Sequence, residues 1–376
     1  MKALVVAGAR PNFVKVAPIL GALEAAGHRA LLVHTGQHYA SDMSGAFFRD
    51  LRMPEPDYRL EVGSGSHARQ TAQVMERFER ALFDARPEWV VVVGDVNSTL
   101  ACALVTAKVG SEIGCGLAHV EAGLRSRDRH MPEEINRVLT DRLSDVLLTP
   151  SVDALENLLS EGIDASRAVF VGNVMIDTLL AMLPSARTID VQRRWSLPSG
   201  YGVVTLHRPS NVDRRDALSE IFEALCILSG TMPVVFPMHP RTRRKAEEFD
   251  LLGSLEGVVI VEPLGYLHML SLVDRAAVVI TDSGGLQEET TALGVPCVTL
   301  REQTERPITL TEGTNRLVPW PLTKEGILAA VRDAAVEPRA LLSGRRPEGW
   351  DGQAAARIVR ALEERTLAGT ASRPRM

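Results

Sequence analysis

Only four cysteines occur in 376 residues, Cys102, Cys115, Cys226 and Cys297, and no two form a Cys-x-x-Cys pair. That scatter excludes a zinc ribbon and a disulfide-stapled scaffold, so reduced thiols and a cytoplasmic protein are expected. No stretch approaches the roughly 18 consecutive apolar residues of a membrane span, so no membrane partner is expected. The apolar start Met1–Gly8 lacks a cleavage site and runs into an Arg-Pro turn, so it reads as a strand and not as a signal peptide. Lys/Arg tracts and aromatic-basic interleaving are missing and the net charge is −5, which excludes a nucleic-acid surface. Also absent are the P-loop spacing Gly-x4-Gly-Lys, a Gly-x-Gly-x-x-Gly fingerprint after the first strand, and His-Glu-x-x-His. His119-Val-Glu121 matches half of a zinc deaminase signature, but its Pro-Cys-x-x-Cys half is missing. No metal and no cofactor are expected.

What is present is a repeated alternation. The chain is 45% hydrophobic and long enough for two domains. Short β-branched runs at Lys2–Ala7, Ala30–Thr35, Trp89–Val93, Gly116–Val120 and Val146–Thr149 read as buried parallel strands. Helical segments separate them: one ending at Gly27, then Asp42–Leu51, His67–Asp84, one opening at Pro132, and Val152–Glu161. Ala168–Asp177 reads as a crossover, after which the rhythm restarts. Tyr201–Leu206, Pro233–Phe236, Val258–Val261, Ala276–Ile280 and Val295–Leu300 are the strands of this second half. The expectation is an α/β protein with two Rossmann-like domains facing across a cleft, 1–170 and 171–353. A terminal helix at about 354–366 returns to the first domain, and the tail from Thr366 is expected to be disordered.

Charged and polar residues collect after the strands, where open α/β sheets bind ligands. In the first half these are Arg10 and Lys15, then Asp95, Glu121 and the cluster Glu133, Glu134 and Arg137. Glu133 and Arg137 are four apart on a helix and are expected to pair. Carboxylates gathered at one rim raise one another's pKa and supply acid/base chemistry. The second half offers His207, Arg208, His239, Arg241, Ser283 and Arg306, which suits a ligand with at least two negative charges. Thr281-Asp-Ser-Gly-Gly-Leu-Gln-Glu-Glu289 follows a strand and opens a helix. Ser283, Gly284 and Gly285 then present backbone N–H groups to a phosphate, with Glu288 or Glu289 in reach of a sugar hydroxyl.

Taken together, Gly8-Ala-Arg-Pro-Asn with Lys15, Gly94-Asp95, His119-Val-Glu-Ala-Gly-Leu-Arg125, Pro132-Glu-Glu-Ile-Asn-Arg137, His207-Arg208 and Asp282-Ser-Gly-Gly-Leu-Gln-Glu-Glu289 resemble the bacterial and archaeal UDP-N-acetylglucosamine 2-epimerase family. The resemblance implies a glycosyltransferase-B type fold, a homodimer, and interconversion of UDP-GlcNAc and UDP-ManNAc without metal or nicotinamide. It matches the family's acid/base carboxylates to Asp95, Glu121 and Glu133, and its basic active-site residues to Arg10, Lys15, Arg137 and His207. It matches the nucleotide-binding motif to Ser283, Gly284 and Glu289, to which Gly285, Arg208, His239 and Arg306 are added here as UDP-binding residues. An allosteric substrate site found in some members would use Gln37, Arg69 and Gln70. Here Gln37-His-Tyr-Ala40 lacks the second Gln of regulated members, and His207-Arg-Pro-Ser-Asn211 departs from their His-Arg-Arg-Glu-Asn. The expected chemistry is elimination of UDP to 2-acetamidoglucal and re-addition. The alternatives are a hydrolysing epimerase releasing ManNAc and UDP, or a nucleotide-sugar transferase of the same fold.

Overall fold

The computed structural model describes residues 1–36, 50–336, 339–342 and 345–371. Gln37 and segment 37–49, which holds nearly all of the expected helix at 42–51, lie outside the described residues.

By their contacts the residues fall into two compact units, Met1–Ala181 with Glu348–Met376, and Met182–Pro347. The first holds strands β1 (Lys2–Ala7), β2 (Arg29–His34), β3 (Tyr58–Arg59), β4 (Trp89–Val93), β5 (Gly116–Val120), β6 (Val146–Thr149) and β7 (Ala168–Phe170). They form one parallel sheet in the order β3-β2-β1-β4-β5-β6-β7. The second holds β8 (Gly202–Thr205), β9 (Val234–Pro237), β10 (Val258–Val261), β11 (Val278–Thr281), β12 (Cys297–Thr299) and β13 (Asn315–Leu317). Its order, β10-β9-β8-β11-β12-β13, is also wholly parallel. Both are doubly wound Rossmann orders. The winding direction reverses between β1 and β4 in one sheet and between β8 and β11 in the other, and ligands bind at such a reversal.

The strands form because β-branched residues buried on both faces leave helices no amphipathic alternative. All five residues of Trp89–Val93 are buried. The helices cover them with one stripe each. In His67–Ala85 the buried residues Val74, Phe78, Ala81, Leu82 and Ala85 recur at helical spacing and pack on Leu4, Val6, Val90 and Val92. Phe78 and Leu82 are fully buried, each contributing about 1.5–3 kcal/mol of apolar transfer. In the second unit Phe222 meets Phe236 edge to face, centroids 6.3 Å apart, over Val204 and Ile280. Among the described residues no helix is long and apolar enough to cross a membrane.

Three expectations are revised. Ala168–Phe170 is not a crossover but the edge strand β7, paired in parallel with β6. The chain then enters the helix Val174–Arg187, on which the division after Ala181 falls. The two-residue β3 and three-residue β13 extend the sheets beyond what the sequence outlined. Finally, the terminal helix runs Ala354–Ala371, so order continues past Thr366. Its start is capped by Asp177, which accepts from the N–H of Ala354 (3.2 Å) and Ala355 (2.7 Å). Near its end, Trp89 Nε1 donates to Thr366 Oγ1 at 2.8 Å, which ties Thr366 to a β4 side chain; residues 372–376 lie outside the described residues.

Candidate active site

At the reversal of the first sheet, one buried amide joins the two outgoing loops. Asn12, in the first turn of helix Arg10–Ala25, accepts from the N–H of Gly8 (3.3 Å) and Ala9 (3.0 Å). Its Nδ2 donates to Val93 O at 2.9 Å, so the end of β1 is tied to the end of β4. Lys15, on the same helix, forms a buried ion pair with Glu121. Glu121 stands just past β5 with φ +70°, a left-handed conformation that costs a non-glycine residue about 1–3 kcal/mol and is typical of functional positions. Gly94 lies beside both. Its own φ is +70°, and a Cβ there would sit 3.3 Å from Asn12 Nδ2 and from Glu121 Oε2, so space and conformation both call for glycine.

Asp95, half-buried, follows Gly94. Arg137 donates to its Oδ2 from Nε (3.0 Å) and Nη2 (2.8 Å), and from Nη1 to Glu134 Oε2 (2.8 Å). The expected Glu133–Arg137 pair is thus replaced. The phase of helix Pro132–Leu143 turns Glu134 and Arg137 inward and leaves Glu133 exposed at its N-terminal end. Glu134 also accepts from the N–H groups of Ser126 and Arg127, each at 2.9 Å. Burial alone would raise its carboxyl, but those donors and Arg137 hold it below the usual range. Asn136 donates to Asp95 O at 2.8 Å. Asn97, next in the network, donates to Gln70 Oε1 at 3.0 Å, and Gln70 donates to Gly63 O at 3.2 Å. Gln70 is therefore buried in the same network as Asp95, whereas Arg69 is exposed.

Behind Glu121 lies a row that begins with two fully buried side chains, His119 and Asp141. His119 faces Gly94 O with Nε2 (2.8 Å) and Asp141 Oδ1 with Nδ1 (2.6 Å). Asp141 Oδ2 accepts from Gly123 N–H (3.2 Å) and pairs with Arg125 (2.8 Å), which is bidentate to Glu161. Burial would raise Asp141, yet His119 and Arg125 hold it below the usual carboxylate range.

The second reversal is organised by Asp282, which is fully buried. It accepts from the N–H of His207 (3.1 Å) and Arg208 (2.9 Å) and from Asn211 Nδ2 (3.2 Å), and its Oδ1 lies 2.8 Å from His207 Nδ1. Burial opposes its charge, but His207 and these N–H groups win and keep its pKa low. His207 is anchored at Nδ1 while its ring stays 45% exposed. His239 caps helix Pro240–Glu248, accepting from Arg241 N–H at 3.1 Å, with its ring centroid 6.4 Å from that of His207. Ser283 is the N-cap of helix Gly284–Leu293. Arg306 lies against that helix start, since a Cβ on Gly284 would meet its Nη1 at 2.7 Å. Arg306 Nε pairs with Glu288 Oε1 at 3.0 Å, and Glu305 gathers Arg208 (3.3 Å), Arg306 (3.6 Å) and Arg301. Three guanidinium groups, Arg208, Arg301 and Arg306, thus crowd a helix N-terminus with Asp282, Glu288 and Glu305 as their counter-charges. The helix start with Arg306 beside it is a setting for an anion. Further along that helix, burial pushes the Glu289 carboxyl up to about 7 despite a hydrogen bond with Tyr266.

The residues named from sequence therefore group by unit. Lys15, Asp95, Glu121 and Arg137 lie in the first network, Glu133 exposed near it, and Arg10 opens the helix that carries Lys15. His207, Arg208, Ser283, Gly284 and Arg306 gather at the second reversal, with Gly285 and Glu289 on its helix and His239 near His207. Sequence reading passed over Asp141 and Glu305, and named Asn12 and Glu134 within motifs without giving either a role. A polar residue that ends up buried beside a strand terminus is their shared mark, and only the fold reveals that burial.

Comparison with known proteins gives this geometry a family. The family model described as UDP-N-acetylglucosamine 2-epimerase matches residues 22–363. The UDP-N-acetylglucosamine 2-epimerase of Methanocaldococcus jannaschii is 41% identical over 371 residues, covering 96% of this chain and 99% of that one. The UDP-2,3-diacetamido-2,3-dideoxy-D-glucuronate 2-epimerase of Pseudomonas aeruginosa is also 41% identical, over 372 residues, covering 96% and 99%. The crystal structure of M. jannaschii UDP-GlcNAc 2-epimerase in complex with UDP-GlcNAc and UDP superposes with a TM-score of 0.88, covering 97% of this chain and 100% of that one. With a family match across most of its length and both reversal points built as described, this chain belongs to the UDP-N-acetylglucosamine 2-epimerase family.

Proposed function

We propose that the chain interconverts UDP-GlcNAc and UDP-ManNAc by eliminating UDP and adding it back. The family match over residues 22–363 carries this reading. GlcNAc C2–H has no neighbouring carbonyl to acidify it. When the C1–O bond breaks and its electron pair leaves on the UDP oxygen, C1 gains oxocarbenium character. A carboxylate then takes the C2 proton, and the C1=C2 double bond of 2-acetamidoglucal forms. Re-addition reverses both events: an acid returns a proton to the opposite face of C2, and the UDP oxygen attacks C1.

In this reading Asp95, Glu121 and Glu133 exchange protons at the ring. Arg10, Lys15, Arg137 and His207 stabilise the departing diphosphate. Lys15 and Arg137 already rest on carboxylates, so the first unit carries its counter-charges before substrate arrives. The second unit takes the nucleotide: Ser283, Gly284 and Gly285 with Arg208, His239 and Arg306 at the diphosphate, and Glu289 at the ribose. Supporting this are the N-terminus of a ten-residue helix and the Arg208 and Arg306 guanidinium groups beside it. We place the enzyme in the cytoplasm, in keeping with four unpaired cysteines, and expect a homodimer on family resemblance, for light scattering to test. Allosteric use of Arg69 and Gln70 by substrate is a proposal of the same standing.

Proton NMR of the purified protein with UDP-GlcNAc in D2O tests the reaction. UDP-ManNAc carrying deuterium at C2 is expected. Product without deuterium removes the elimination model, and free ManNAc with UDP points to the hydrolysing reaction. The equal identity to the diacetamido-glucuronate enzyme supports a second substrate reading. Parallel incubation with that sugar nucleotide, comparing kcat/KM, decides between them.

A further inference from the structure

We propose that His119 is a positioning residue for this reaction, held as an imidazolium that straps the Gly94–Asp95 turn to the turn behind Glu121. Its activity arm rests on the epimerase reading; its charge arm rests on hydrogen-bond geometry alone. A carbonyl oxygen only accepts, so Nε2, 2.8 Å from Gly94 O, must carry a hydrogen. Nδ1 faces Asp141 Oδ1 at 2.6 Å. The other oxygen of Asp141 takes Gly123 N–H and the Arg125 guanidinium. Every group around that carboxylate is a donor, which suits its ionised form, so Nδ1 donates as well. A ring that donates from both nitrogens is an imidazolium.

The burial of that charge is balanced locally. His119 and Arg125 supply two cations, Asp141 and Glu161 two anions. The residues registered with His119 on either side, Val92 and Leu147, are apolar. A neutral histidine here would aim a lone pair at a carboxylate in a dry interior, which costs more than the shared proton.

The strap has two ends, and both are glycines with positive φ. Asp141 holds Gly123 (φ +85°) directly and, through His119, Gly94 (φ +70°). Gly94 precedes Asp95, and Gly123 lies two residues after Glu121, so one buried pair brackets both carboxylates. The preceding peptide is held as well, the Gly94 N–H donating to Val120 O at 3.0 Å, so the carbonyl held by His119 is the one that fixes the Gly94–Asp95 peptide. Releasing the carbonyl lets this peptide rotate and shifts Asp95 against Glu121. Misplacement of reacting groups by about 1 Å costs on the order of 100-fold in rate.

The full chain labelled with 15N-histidine, at the assay pH near neutrality, gives a ring-nitrogen correlation spectrum in which His119 is assigned from the His119→Gln variant. Two protonated ring nitrogens are expected; one unprotonated nitrogen overturns the charge assignment. For His119→Gln, kcat is expected to fall about 100-fold while KM and the calorimetric affinity for UDP stay within about two-fold. Wild-type kcat overturns the positioning role, as does a rise in KM at constant kcat. Should His119→Gln fail to fold, the buried ring is recognised in the wild type by slow solvent exchange, and its protonation still decides. A wild type inert toward UDP-GlcNAc would sink the epimerase reading, while the ring spectrum would still decide the charge.

Discussion

Asn12 and Asp282 each bridge the reversal point of their sheet, from opposite sides: Asn12 follows β1 and reaches the end of β4, and Asp282 follows β11 and reaches the loop after β8. Asn12 accepts from two N–H groups of its own loop and donates across to a carbonyl, whereas Asp282 accepts from two N–H groups across the reversal. The difference is charge. Asn12 is neutral and stands beside the Lys15–Glu121 pair, whereas Asp282 is an anion that orients His207. Replacing Asp282 by Asn keeps one acceptor but removes the charge facing His207. We expect Asp282→Asn to lose about 1–3 kcal/mol of stability and to weaken UDP binding, read by urea unfolding and calorimetry.

The three carboxylates assigned to proton transfer can be separated from their structural neighbour. Asp95→Asn, Glu121→Gln and Glu133→Gln are each expected to slow turnover by about 100-fold or more, measured by NMR conversion of UDP-GlcNAc. Because Glu133 is exposed, its variant should keep wild-type stability. Glu134→Gln should instead unfold at lower urea, since Glu134 serves two backbone N–H groups and Arg137. If the Glu134 variant alone lost activity at full stability, the two roles would have to be exchanged.

Nucleotide recognition is tested in the second unit. Ser283→Ala combined with Glu289→Ala should weaken UDP binding by more than ten-fold in calorimetry. Unchanged affinity would place the nucleotide elsewhere.

Glu289 also predicts a pH window. Its folded pKa of about 7 stands above the ordinary value of 4.5, so the folded state binds this proton more tightly than the unfolded one. Its contribution to stability is full below about 4.5 and is lost as pH rises through about 7, a change on the order of 3 kcal/mol. Denaturant unfolding at pH 5 and pH 8 should show a smaller difference in Glu289→Gln than in wild type. Equal differences would mean that burial does not hold the proton there.

Much of the framework was legible in the chain. The β-branched runs at Lys2–Ala7, Trp89–Val93, Gly116–Val120, Val146–Thr149 and Val258–Val261 coincide with strands, because burial on both faces leaves a continuous apolar signature. Tyr58–Arg59 and Asn315–Leu317 carry no such run; they are edge strands whose pairing comes from a neighbour, not from their own composition. Ala168–Phe170 was obscured by the glycine that follows it and by its place at a sheet edge. Within the candidate site, strand-end positions were readable from sequence, but partners were not. Glu133 and Glu134 are indistinguishable until the helix phase against β5 is known, and that phase gives Arg137 to Glu134. Nor can a sequence disclose that Asn12 reaches Val93, 81 residues further along the chain.

The helix Ala354–Ala371 belongs to the unit that begins with Met1, locked on by Asp177 at its start and Trp89 near its end. A ribosome that has reached Pro347 has therefore supplied every residue of the second unit while the first still waits for its closing piece. The half synthesised first is completed last, so a premature stop after Pro347 injures the earlier half of the chain and spares the later one.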